Sequence, residues 1–164
     1  MKSGNRCGAT ERGGARSLGG FTLLELMFAV AVVAILATLA VGQFSKYIDR
    51  SKNAAAQADI ALMEMQILRY RNNHDNALPD ALAQIGQGTL LDPWQRAYHY
   101  TKLEGVKGKG KARKDKKLNP LNSDYDLFSA GKNGVFKTQV SQKDSLDDVI
   151  RARDGAYIGL AEDF

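Results

Sequence analysis

Two charged features of this sequence call for a chemical explanation. The first is Glu25, which sits inside "FTLLELMFAVAVVAILATLAV", a run from Phe21 to Val41 whose only other polar residues are Thr22 and Thr38. A charged side chain in a membrane helix costs on the order of 2.5–3.5 kcal/mol at the centre and less near an end, so such an acid is paired or used. Its natural counter-charge is an ammonium. A chain cut just before Phe21 would supply one about a helical turn away, and a neighbouring copy's amine would serve as well while setting the stagger between two packed helices. The second feature is "KGKGKARKDKK", in which Lys107, Lys109, Lys111, Arg113, Lys114, Lys116 and Lys117 face a single acid, Asp115. Its net charge of +6 contrasts with −4 for the remainder of the chain after residue 20. Such a run is either a solvated loop between strands or an electrostatic patch for DNA, acidic polysaccharide or anionic lipid. No aromatic residue lies between Lys102 and Pro120, so bases have nothing to stack on and any nucleic-acid contact would be non-specific.

Enzymatic constellations are missing. The single cysteine, Cys7, lies near the amino terminus, His74 and His99 are isolated and read as solvated, and no glycine-rich phosphate loop follows a strand. The chain is therefore expected not to be an enzyme, and no disulfide can brace its fold.

The elements that carry these residues follow from hydropathy and periodicity. At about 1.5 Å per residue, the 21-residue apolar run makes a helix of roughly 30 Å, one bilayer. Four basic residues (Lys2, Arg6, Arg12, Arg16) against one acid precede it, which keeps the amino terminus cytoplasmic and sends the rest outward. A secretory signal peptide has a shorter apolar region followed by its cleavage site, whereas here the small pair Gly19-Gly20 stands before the run. A cut there removes the charged leader and retains the helix. Beyond Gly42, apolar or small residues recur at Phe44, Ile48, Ala55, Ala58, Leu62, Met65 and Leu68, which predicts an amphipathic continuation to Asn72 or Asn73 with this stripe as its buried face. Met63 and Met65 read as core rather than as ligands. Gly42 should soften the helix without breaking it.

In the remainder, "LPDALAQIG" predicts a short helix with Pro79 near its first turn and Gly86 at its end. "RAYHYTKL" alternates as a half-buried strand, with Tyr98 and Tyr100 on one face and His99 on the other; "DYDLFSA" and "AYIGLA" are further strands. The expected fold class is α+β, a long helix over a small antiparallel sheet. The domains are a leader at 1–20, a membrane helix at 21–41, an amphipathic helix at 42–73 and a β-rich head at 74–164.

"GGFTLLELMFAVAVVAILATLAV" resembles the class III signal of type IV pilins and type II secretion pseudopilins. "LLDPWQRAYHY" and "DLFSAGKNG" further resemble the D-P-W-G-x-P-Y-x-Y and D-L-[YF]-S-x-G-x-D-G stretches of major, G-type pseudopilins, although Gln95 and Ala97 replace a glycine and a proline and the insertion at 102–123 is longer and more basic. The resemblance implies a ladle-shaped subunit, cleavage between Gly20 and Phe21 by prepilin peptidase, N-methylation of Phe21 and an assembly role for Glu25. It also implies residence in a bacterial inner membrane with the head in the periplasm, an inner-membrane assembly platform as partner, and a homo-oligomeric filament in the periplasm or at the cell surface. The alternative is a minor pilin that binds DNA or a surface through its basic loop. Carried over residue by residue, the resemblance finally implies a Ca²⁺ site from the carbonyl of Ala130, the side chain of Asn133, and Asp148, with Asp147 in reserve. The local alternative is a hairpin turn at Asn133-Gly134 and a capping box at Ser145 and Asp148 that opens a short helix closed by Gly155.

Overall fold

The computed structural model of the chain describes residues 20–105 and 110–164; the leader residues 1–19 and the stretch 106–109, with Lys107 and Lys109, lie outside the described residues. Its elements are a helix α1 (Leu23–Asn73) and four strands, β1 (His99–Lys102), β2 (Tyr125–Ser129), β3 (Val149–Ala152) and β4 (Tyr157–Leu160), with short 3₁₀ turns between them. The chain divides into two compact units, Met1–Gly42 and Gln43–Phe164.

In the first unit the helix starts at Leu23, and its 18-residue window of mean hydropathy 2.6 is long and apolar enough to cross a membrane. Phe28, Val33 and Ile35 are exposed along it. Helical structure continues without interruption through Gly42, as a glycine that keeps its N–H allows.

The second unit is built on an antiparallel sheet in the order β1-β2-β3-β4. Tyr100 faces Leu127 in register, Phe128 faces Ile150, and Ile150 faces Gly159. One face of the sheet packs on α1 through Ala56, Ile60, Met63 and Ile67, which meet Tyr98, Tyr125, Leu127 and Val149. Burying each large apolar side chain here is worth about 1.5–3 kcal/mol, so four helix positions anchor the unit. The opposite face carries a second cluster of Leu121, Phe128, Val140, Ile150, Ala152 and Ala161. With both faces covered, β2 and β3 are buried at every position.

The helix ends at Asn73, as its pattern predicts, because Asp75 and Asn76 take positive φ (50° and 65°) and their short polar side chains tolerate that conformation. The buried face differs from expectation. Phe44 (67% exposed), Leu62, Met65 (69%) and Leu68 (57%) stay in solvent, and Ala55 and Ala58 are exposed with them. The core stripe lies about 150° further round the helix, counted at about 100° per residue. Both stripes are apolar, so periodicity alone cannot choose between them; Met63 is core and Met65 is not. The short helix at Leu82–Ile85 is 3₁₀, capped by the left-handed Gly86, with Pro79 buried just ahead of it. The helix that Ser145 and Gly155 suggest is replaced by the turn Lys143–Ser145 and then strand β3.

Candidate functional site

Helix α1 is opened by a reciprocal pair. The hydroxyl of Thr22 accepts the N–H of Glu25 at 3.2 Å, while the Glu25 carboxylate accepts the Thr22 N–H at 3.2 Å and its hydroxyl at 3.1 Å. This capping box satisfies backbone donors that a helix start otherwise leaves without partners, and an acid there favours the helix dipole. Sequence inspection assigns Glu25 an intermolecular task and overlooks this local one, although T-x-x-E is its standard spacing. Gly20 and Phe21 precede the helix, both exposed, with Phe21 at 88%. The bond between them thus lies outside the helix.

Among the described residues, the cations of the basic stretch do not form one patch. Lys111, Lys116 and Lys117 are exposed and Lys114 is half-buried, but Arg113 is buried at 3% exposure and directed inward. Its Nη2 donates to Asp148 Oδ2 at 2.6 Å, its guanidinium carbon lies 4.2 Å from the Phe128 ring centre, and its backbone N–H donates to Asp126 Oδ2 at 2.6 Å. Arg113 is therefore not available to a polyanion. Asp115 accepts the N–H groups of Lys117 and Asn119 at 2.8 Å each, which folds 115–119 into a tight turn.

The four residues expected to hold Ca²⁺ do not fit the ion. The Ala130 carbonyl accepts the Gly134 N–H at 3.1 Å. Asn133 turns donors toward Asp147, its backbone N–H reaching Oδ2 at 2.8 Å and its Nδ2 reaching Oδ1 at 2.7 Å, while its Oδ1 accepts the Val135 N–H. Asp148 faces Arg113 instead of this pair. Hard-cation sites need six or more converging oxygens, and here N–H groups occupy both oxygens of Asp147 and a guanidinium takes Oδ2 of Asp148. Among the described residues no cluster of three or more His, Cys, Asp or Glu side chains is arranged to hold a metal. Asn133-Gly134 also does not close a hairpin, since β2 reaches β3 through the whole connection 130–148.

Several decisive residues escape sequence inspection. Asp92, buried within the D-P-W stretch, accepts the N–H groups of Trp94 and Arg96 and the hydroxyl of Ser129 at 2.6 Å, so this motif is a structural knot. Arg151 on β3 is buried and spans from the sheet to α1, bonding Glu64 at 2.8 Å and Asp124 at 2.8 and 2.9 Å. His99 is half-buried rather than free in solvent: it stacks on Phe128 at 4.8 Å, and burial, aided by Arg113, lowers its pKa. Burial pushes Asp148 up to about 6 against the pull of Arg113. His74 is exposed and stacks on Tyr70 at 3.9 Å.

Gln95 occupies the turn after Asp92 with φ of 67°, the left-handed region that costs a non-glycine residue about 1–2 kcal/mol. Gln95→Gly relieves that strain while freeing the unfolded chain by about 0.4–1 kcal/mol. The variant is expected to raise the melting temperature by a few degrees in thermal unfolding. A lower melting temperature would show that the Gln95 side chain outweighs its backbone cost.

Comparison with known proteins adds to this geometry. The description "Prokaryotic N-terminal methylation motif" matches residues 16–41. The chain is similar to a fimbrial protein of Pseudomonas aeruginosa, 36% identical over 80 residues that cover 44% of this chain and 52% of that protein. Similarity to type II secretion system core protein G of Escherichia coli (strain K12) is lower, 28% over 119 residues, but broader, covering 71% of this chain and 76% of that one. The type IV major fimbrial protein FimA of Dichelobacter nodosus is 42% identical over 48 residues, 29% of this chain and 31% of the relative. The chain spans about half the length of the fimbrial proteins it matches at 36% identity. No solved structure matches it.

Proposed function

Since the chain belongs to the superfamily of type IV pilins and type II secretion pseudopilins, we propose that it is a structural subunit of a filament of that kind, held in the bacterial inner membrane until it assembles. Prepilin peptidase cuts between Gly20 and Phe21, the new Phe21 amine is methylated, and the assembly platform draws the subunit into a homo-oligomer through helix α1. The head stays on the periplasmic side, opposite the basic leader.

The observation that carries this proposal is the second apolar stripe of α1. Within 43–73 the helix buries one stripe on its own sheet and leaves Phe44, Leu62, Met65 and Leu68 in water. A lone head gains nothing from such a face, whereas copies of the chain can bury it against one another. A binding module built on the basic stretch is not favoured. The similar proteins are fimbrial or secretion-system subunits, and Arg113 points into the core.

Intact-mass measurement on filaments sheared from cells tests the proposal. The expected species begins at methylated Phe21. A chain that retains Gly20 and the residues before it, or one that begins beyond Val41, would overturn it.

A further inference from the structure

Asp148 is the most enclosed carboxylate in the 130–148 connection, with a side chain 0% exposed, and the cation beside it comes from the chain itself. Arg113 reaches it at 2.6 Å with a side chain 4% exposed. Its position is fixed twice over, by its backbone N–H on Asp126 and by the Phe128 ring under its guanidinium. Asp148 Oδ1 and the Nε and Nη1 of Arg113 have no protein hydrogen-bond partner, so the two groups are matched chiefly by charge. A divalent ion bound to Asp148 Oδ2 would sit about 2.3–2.6 Å from it, where the guanidinium already lies at 2.6 Å, and an ion on either oxygen would face a like charge.

We propose that Arg113 is a tethered cation that stands in for a divalent ion, so that this head holds its 130–148 connection without Ca²⁺. The basic insertion then has a structural product: it delivers one arginine to a buried acid, while Lys111, Lys116 and Lys117 remain in solvent. This holds whether or not the chain assembles into filaments, because it concerns the stability of a single head.

Thermal unfolding of the full chain in detergent, followed by Trp94 fluorescence in millimolar Ca²⁺, in equal Mg²⁺ and in chelator, tests the proposal. The wild-type melting temperature is expected to be the same in all three. Arg113→Gln strands a buried carboxylate and should lower it by about 10 °C or more. Adding Asp148→Asn to that variant removes the stranded charge and should recover part of the loss. If Arg113→Gln does not fold alone, recovery of folded protein in the double variant is the same rescue. Two results would overturn the proposal: a wild-type gain in Ca²⁺ that Mg²⁺ does not reproduce, or a double variant no better folded than Arg113→Gln.

Discussion

Arg151→Ala is expected to destabilise the unit at 43–164 by about 3–5 kcal/mol, the range for breaking a buried ion pair by removing one partner. The guanidinium is 3% exposed and joins Glu64 of α1 to Asp124, which lies just before β2. It also donates to the Tyr125 carbonyl at 3.2 Å and lies 3.9 Å from the Tyr125 ring centre. Truncation leaves two carboxylates without their cation and opens space beneath Tyr125. Glu64 and Asp124 keep 26% and 19% of their side-chain exposure, so solvent screens part of the loss and the lower end of the range is expected. In thermal unfolding this amounts to a fall of at least about 10 °C. Arg151→Lys should recover little, because one ammonium cannot reproduce a fork that grips Asp124 with both terminal nitrogens. A fall of less than about 3 °C for Arg151→Ala would show that the Arg151 ion pairs add little to what holds α1 on the sheet.

How much of this was legible in the sequence differs between the two units. The apolar run, the small-residue pair before it and the acid within it are local patterns, and they place α1 and the Gly20–Phe21 bond without knowledge of the rest. Strands β1, β2 and β4 were legible too, since aromatic and β-branched residues mark them. Strand β3 was not, because "VIRA" is buried on both sides and does not alternate, while Ser145 and Asp148 nearby mimic a helix start. The buried face of α1 was misjudged for a different reason. Whether Leu62 or Met63 turns inward depends on where the sheet lies, and two apolar stripes on one helix offer no local preference. Arg113 illustrates the limit for charged sites. In sequence it is one of seven cations in a run, and only Asp126 and Asp148, more than ten residues away, separate it from the lysines. The same pair bears on the Ca²⁺ expectation, since a ligand set carried over by resemblance does not reveal that Arg113 arrives from the insertion beside Asp148.

Glu25 carries the largest expected effect on assembly. On the proposed cleavage before Phe21, each subunit would bring one amine and one carboxylate into an apolar layer where an unpaired charge is costly. Pairing the Glu25 carboxylate with a neighbour's Phe21 amine removes both costs, and a pair worth about 2 kcal/mol changes the affinity of each subunit contact about thirtyfold. The capping box complicates a simple deletion, because Glu25→Leu loses the bonds to Thr22 together with the charge. Glu25→Gln separates them, since glutamine at this position still closes a capping box but cannot neutralise an amine. The most direct test of the claim that α1 drives assembly is therefore the yield of sheared filaments from cells producing Glu25→Gln or Glu25→Leu, at wild-type levels of membrane-inserted subunit. Filaments are expected to be lost in both variants while the head melts at the wild-type temperature. Wild-type filament yield from Glu25→Gln, whether or not Glu25→Leu fails, would contradict it and leave Glu25 as a helix cap.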